Sequence, residues 1–198
     1  MSPMDLPDRI AYRNGLLHID AVPAARIASG GTPVYAYAAG AVVARYRRFA
    51  AAFAGRETLI CYALKANPTR SVARLLAREG AGCDVVSGGE LVRALAAGFP
   101  PASIAFAGVG KTEDELRQGL RAGLRAFHVE AAAELSALTR VAGRLRRRAR
   151  FALRVNPGVT AGGHAHIETG HAQTKFGIEE AEVLELYRRA RRERWLEA

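Results

Sequence analysis

The chain is poor in the residues that mark disulfide frameworks, redox sites and base-stacking surfaces: it holds two cysteines, two methionines and one tryptophan, and only 7% of it is aromatic. Cys61 and Cys83 both lie inside apolar, strand-like runs, with no CxxC spacing and no histidine placed to complete a ligand set. That context predicts buried reduced thiols rather than a disulfide or a zinc site. Long apolar runs are absent too, none approaching the ~20 residues of a membrane-spanning helix. The start, Met1-Ser2-Pro3-Met4-Asp5, lacks the basic and apolar regions of a secretory signal. A cytoplasmic location without a membrane partner is the default expectation. Acidic residues are outnumbered by basic ones, 19 against 29, for a formal charge of +10. The densest basic runs, Arg144 to Arg150 and Arg188 to Arg194, carry no interleaved aromatics for stacking on bases. Arginines at predicted helix ends complement the macrodipole and stay solvated, so no nucleic-acid partner is expected.

What is present is ample apolar material, 49% of 198 residues, enough for a substantial core. Up to about residue 35, short strand-like pieces (Leu16 to Ile19, Val34 to Tyr37) alternate with Gly and Pro punctuation, and residues 1–35 are read as an N-terminal β arm. A helical pattern follows from Ala38 to Ala54, and from Leu59 strand and helix alternate. The predicted units are strand Leu59 to Lys65 with helix 69–79, Cys83 to Val86 with helix 88–97, Ile104 to Ala107 with helix 112–122, Ala126 to Val129 with helix 131–146, and strand Phe151 to Val155. Ser87-x-x-Glu90 and Thr112-x-x-Glu115 read as capping boxes, and Gly80, Gly98 and Gly123 fall where helix C-caps are expected. Such units imply an α/β fold with a parallel sheet covered by helices, either doubly wound or a barrel. About five units fit in residues 36–198, whereas a complete (β/α)8 barrel takes roughly 250 residues. The expectation is therefore part of a barrel.

In a barrel, functional side chains collect at the C-terminal ends of the strands. Here those ends carry Lys65, Asp84, His128 and Arg154. Lys65 closes an apolar strand immediately before the breaker Asn67-Pro68, which is where a Schiff-base lysine would sit. An isolated lysine at a strand end is ordinarily a solvated cap, and it is the recurrence of ionisable groups along one rim that favours chemistry. Two other motifs carry less. Gly110-Lys111-Thr112 ends like a phosphate loop, but the required first glycine would be Ala105, so Lys111-Thr112 is read as a helix entry. His164, His166 and His171 lie in a Gly-rich loop with Glu168 as the one nearby acid, and are read as polar contacts rather than a metal site.

The segments Tyr62-Ala-Leu-Lys65-Ala-Asn, Gly82-Cys-Asp84-Val-Val-Ser-Gly-Gly-Glu90-Leu, Gly108-Val-Gly-Lys-Thr, Leu153-Arg154-Val-Asn-Pro157-Gly, His164-Ala-His-Ile-Glu-Thr169-Gly170 and Thr174-Lys175-Phe176-Gly177 closely resemble, in order and spacing, the diaminopimelate decarboxylase family of fold-type III pyridoxal-phosphate enzymes. The resemblance implies an alanine-racemase-like TIM-type barrel, of which this chain would supply the amino-terminal half. It implies that Lys65 binds pyridoxal 5'-phosphate as a Schiff base, and that Asp84 and Arg154 lie around the cofactor, with Glu90 assisting beside its capping role. The implied reaction is decarboxylation of meso-2,6-diaminopimelate to L-lysine and CO2, in a homodimer when full length. Alternatives are a relative acting on ornithine or arginine, and a non-catalytic, regulatory pyridoxal-phosphate-binding chain. With the family's other half absent, little or no activity is expected of the chain alone, and the open barrel edges would favour aggregation.

Overall fold

The computed structural model describes residues 9–156 and 177–198. It opens with a small antiparallel sheet of β1 (Ile10–Arg13), β2 (Leu16–Ile19) and β3 (Val22–Pro23), followed by the short helix α1 (Ala24–Ala28). The predicted strand Val34 to Tyr37 is not formed. That segment has no ladder partner among the described residues, and Tyr35 is 90% exposed. Strand preference is a preference for a pleated, half-buried surface, and without a neighbour to supply one it is not expressed.

From α2 (Ala39–Ala51) onward the βα alternation is realised as β4 (Cys61–Ala63), α3 (Arg70–Arg78), β5 (Gly82–Val85), α4 (Gly88–Ala97), β6 (Ile104–Phe106), α5 (Glu113–Ala122), β7 (Ala126–Val129), α6 (Ala132–Leu145) and β8 (Ala149–Leu153). Beyond these, β9 (Val155–Asn156) pairs in parallel with β10 (Ile178–Glu179), α7 (Glu180–Ala190) follows, and β11 (Leu196–Glu197) joins β8. The main sheet is all-parallel in the order β11-β8-β7-β6-β5-β4. Strand order follows chain order without reversal. A doubly wound sheet reverses at a switch point, so the order selects the barrel alternative, and β11 adds the start of a sixth strand.

Each helix forms because its apolar positions recur at helical spacing and find one face to bury: Val72, Ala73 and Leu76 in α3, Leu116 and Leu120 in α5, Leu135, Leu138 and Val141 in α6. These stripes cover the outward-pointing side chains of the strands, where Cys83, Val85, Ile104, Phe106 and Val129 are fully buried and Phe106 stacks on Phe127 with centroids 6.1 Å apart. Gly119 is what lets α5 come this close, since a Cβ there would lie 2.8 Å from the Phe127 ring.

The helix ends largely follow the predicted chemistry. Thr112 and Glu115 form a full capping box, and Gly98 and Gly123 are left-handed C-caps. Ser87 accepts from the Glu90 N–H at 3.2 Å as expected, but the Glu90 carboxylate accepts from the N–H of Val86 at 2.9 Å instead of from Ser87. Glu115 also reaches across to accept from the Gly88 N–H at 2.8 Å, so one carboxylate joins the starts of α4 and α5.

Candidate functional site

Lys65 does not end a strand, as its sequence context suggests. The strand stops at Ala63, and Leu64–Ala66 form a single 3-10 turn in which Leu64 is fully buried and Lys65 is exposed. The turn is braced by its own neighbours. Tyr62 donates its hydroxyl proton to the carbonyl of Asn67 at 3.1 Å, and the Asn67 side chain accepts from the Thr69 N–H at 3.0 Å. Proline at 68 then bars continuation of the coil into a longer helix. The buried leucine and the Tyr62 bond turn the chain early and present the lysine at the rim.

The inner face of the strands, opposite the helices, forms a trough with a cavity volume of about 790 Å³. Its floor is made of small side chains, Ala105, Ala107 and Ala152, and its charged and imidazole groups are Lys65, Asp84, Arg125, His128, Glu130 and Arg154. Three of the four cofactor residues expected from the sequence, Lys65, Asp84 and Arg154, therefore meet in one cavity. Glu90 does not line it, and its carboxylate is engaged at the start of α4. One Asp84 oxygen, Oδ1, is buried without a hydrogen-bond partner among the described residues, and burial raises the Asp84 carboxyl above its ordinary value of 3.8. The neighbouring His128, Lys65 and Lys111 oppose that rise, while Glu90 adds to it.

Arg154 is held from several directions. Its N–H donates to the carbonyl of Val129 at 2.9 Å, its carbonyl accepts from Ile178 at 2.7 Å, and its guanidinium pairs with Glu130 at 2.8 Å. The glycine of the Lys-Phe-Gly motif is required here, because Gly177 has φ +93° and a Cβ would come within 2.9 Å of the Arg154 carbonyl oxygen. Glu130 is itself almost fully buried, with Oε1 unpartnered among the described residues.

Beneath this pair lies a group that sequence reading passed over as a helix entry. The Lys111 ammonium is 1% exposed and donates to the Gly108 carbonyl at 2.7 Å, the His128 carbonyl at 2.7 Å and Glu134 Oε1 at 2.6 Å. The other Glu134 oxygen accepts from the Glu130 N–H at 3.3 Å. Available signals were the position of Glu130 just after a strand, in phase with His128 on the inner face, and its spacing of four from Glu134. The histidine loop with His164, His166 and His171, and the residues Thr174-Lys175-Phe176, lie outside the described residues. Among the described residues no cluster of His, Cys, Asp or Glu could hold a metal, and no helix is long and apolar enough to cross a membrane.

Comparison with known proteins agrees with this geometry. Over 184 residues the chain is 47% identical to a diaminopimelate decarboxylase of Pseudomonas aeruginosa, an alignment spanning 92% of this chain and 44% of that protein. The crystal structure of diaminopimelate decarboxylase from M. jannaschii in complex with L-lysine superposes with a TM-score of 0.85 at 34% identity, covering 96% of this chain and 46% of the other. The Helicobacter pylori diaminopimelate decarboxylase, also complexed with L-lysine, gives 0.82 at 39% identity over 88% and 44%. The chain thus spans less than half the length of these relatives. A family model described as the pyridoxal binding domain of pyridoxal-dependent decarboxylases matches residues 39–197, four-fifths of the chain, and the chain belongs to that family.

Proposed function

We propose that this chain supplies the cofactor-holding amino-terminal part of a decarboxylase that converts meso-2,6-diaminopimelate to L-lysine and CO2. The observation that carries the reading is the convergence of Lys65, Asp84 and Arg154 on one cavity in a chain 47% identical to a diaminopimelate decarboxylase. The cavity fits pyridoxal phosphate on its own features. Alanines at 105, 107 and 152 leave room for a flat ring, an exposed amine stands at the rim, and two buried carboxylate oxygens, on Asp84 and Glu130, lack donors among the described residues.

Lys65 would bond the cofactor through its amine, and Asp84 would hold that amine in place by charge. Arg154 would face an anionic oxygen of the bound group, with Glu90 acting on Asp84 from the start of α4. When bound, the cofactor supplies an electron sink for the pair left by the departing carboxylate. The chain's own residues orient the ring and keep protons and charges where that step needs them. Identity to diaminopimelate decarboxylases supports this substrate over ornithine or arginine. The family resemblance supports a cytoplasmic homodimer and a division into a β arm, 1–35, and an incomplete barrel, 36–198.

The test is to add pyridoxal phosphate, reduce with borohydride and map the modified peptide. Modification at Lys65, lost in K65A, supports the reading, and modification found instead at Lys175 or the amino terminus, or undiminished in K65A, overturns it. Joining the chain to the carboxy-terminal part of the P. aeruginosa relative and measuring CO2 release from diaminopimelate, ornithine and arginine tests the substrate.

A further inference from the structure

We propose that Glu130 is a positioning residue for Arg154, and that the buried Lys111–Glu134 pair sets Glu130 in place. The proposal rests on the reading that Arg154 faces the cofactor cavity, and adds what makes its guanidinium a fixed rather than a wandering charge. A half-exposed arginine ordinarily samples many rotamers, and ordering one costs side-chain entropy. Here the guanidinium meets a carboxylate that is 2% exposed, at 2.8 Å. A carboxylate buried that deeply has little freedom of its own, so the arginine is tied to a rigid point.

That point is fixed through the backbone. Glu130 follows β7 directly, and the end of β7 is gripped by groups that make no contact with the cavity. Lys111 donates to the His128 carbonyl and to Glu134, while Glu134 accepts from the Glu130 N–H. The buried ammonium also lies 5.7 Å from the centroid of the Phe106 ring, against the apolar layer. A charge pair this deeply buried is a poor way to gain stability. It is a good way to hold one strand end in a single place, because every member has a defined partner and a misplaced strand would leave a charge unpaired. Both inner-face residues at that end, His128 and Glu130, take their positions from it.

The experiment reads Arg154 directly. In nitrogen-labelled protein the Arg154 Nη–H signals, from the group that donates to Glu130, are assigned by their loss in R154K, and their solvent exchange is measured. E130Q, which keeps shape and removes charge, is expected to speed exchange about tenfold, the scale of one charged hydrogen bond, and E130D to restore part of the protection. K111M/E134Q, which leaves Glu130 and Arg154 intact, is expected to produce an intermediate loss. An Arg154 signal unchanged in E130Q overturns the proposal, and an unchanged signal in a folded K111M/E134Q overturns the backbone arm of it. Should K111M/E134Q not fold, E130Q and E130D decide the proposal alone. A parallel titration with pyridoxal phosphate separates the two readings. No binding by the unaltered chain sinks the cofactor reading while the exchange data still judge the positioning. With binding, E130Q should weaken it about tenfold and add nothing to R154A, whereas additive losses count against the proposal.

Discussion

The two faces of the main sheet are built from the same strands and obey opposite rules. On β5, Cys83 and Val85 point outward and are fully buried under the helices, while Asp84 between them points into the trough. On β7 the outward residues are Phe127 and Val129 and the inward one is His128. The outward face is uniform, apolar and tightly filled, down to a glycine on α5 that makes room for one ring. The inward face is small, polar and in places unsatisfied. A strand's period of two allows this division of labour: stability is stored on one side, and the other side is free to carry groups that cost stability.

Substitutions on the outward face should therefore be the most damaging. Phe106→Ala removes a fully buried ring that packs against Phe127, and is expected to cost about 3–5 kcal/mol in denaturant unfolding. Ala105→Ser beside it, on the inner face, should cost far less. Lys111→Met breaks the comparison, because it strikes a charge in the apolar layer. It strands Glu134 without its cation, for an expected loss of about 3 kcal/mol, and K111M/E134Q should recover part of it. A smaller effect, about 1 kcal/mol, is expected for Thr112→Ala, which removes the Thr112 half of a complete capping box. The thiols sharpen the contrast without changing stability. Cys83 is pushed up to about 12 by burial, with Asp84 adding to the rise, whereas inner-face Cys61 is raised by burial but stays partly accessible. A thiol reagent should label Cys61 slowly in the native protein and Cys83 only on unfolding.

These two faces also differ in how far they could be read from the sequence. The four helices between β4 and β8 were legible to within one residue, because capping chemistry at Thr112 and glycines at 98 and 123 mark ends in the sequence itself, whereas α2 stops three residues before the expected Ala54. The strand ends of the βα repeat placed Lys65, Asp84, His128 and Arg154 on one rim, and the structure brings all four to one cavity. What was not legible depends on contacts remote in sequence. Lys111 reads as a helix entry until Glu134, 23 residues on, and the His128 carbonyl, 17 on, are seen around it. Val34 to Tyr37 reads as a strand because local preference cannot reveal that no neighbour pairs with it. The Lys65 turn depends on Tyr62 reaching Asn67, a side-chain-to-backbone bond that no periodicity encodes.

The inner face should show its cost most directly at Asp84. Its carboxyl is raised above 3.8 chiefly by burial, so folding favours the neutral form. The folded state then holds its proton more tightly than the unfolded chain. The stabilisation that this confers is present in full below the ordinary carboxylate value and is lost as pH rises through the raised one. Above both values the buried charge works against folding, only partly relieved by His128 and Lys65. Asp84→Asn removes the charge at nearly constant shape, so it should raise the melting temperature modestly at pH 7 and leave it nearly unchanged near pH 3. A melting temperature that falls at pH 7 in this variant would mean that the carboxylate is better paired than its unpartnered Oδ1 indicates. If the rise occurs together with lost labelling of Lys65 by pyridoxal phosphate, then a group that destabilises the fold is kept for what it does to the lysine, which is the division between the two faces expressed at a single residue.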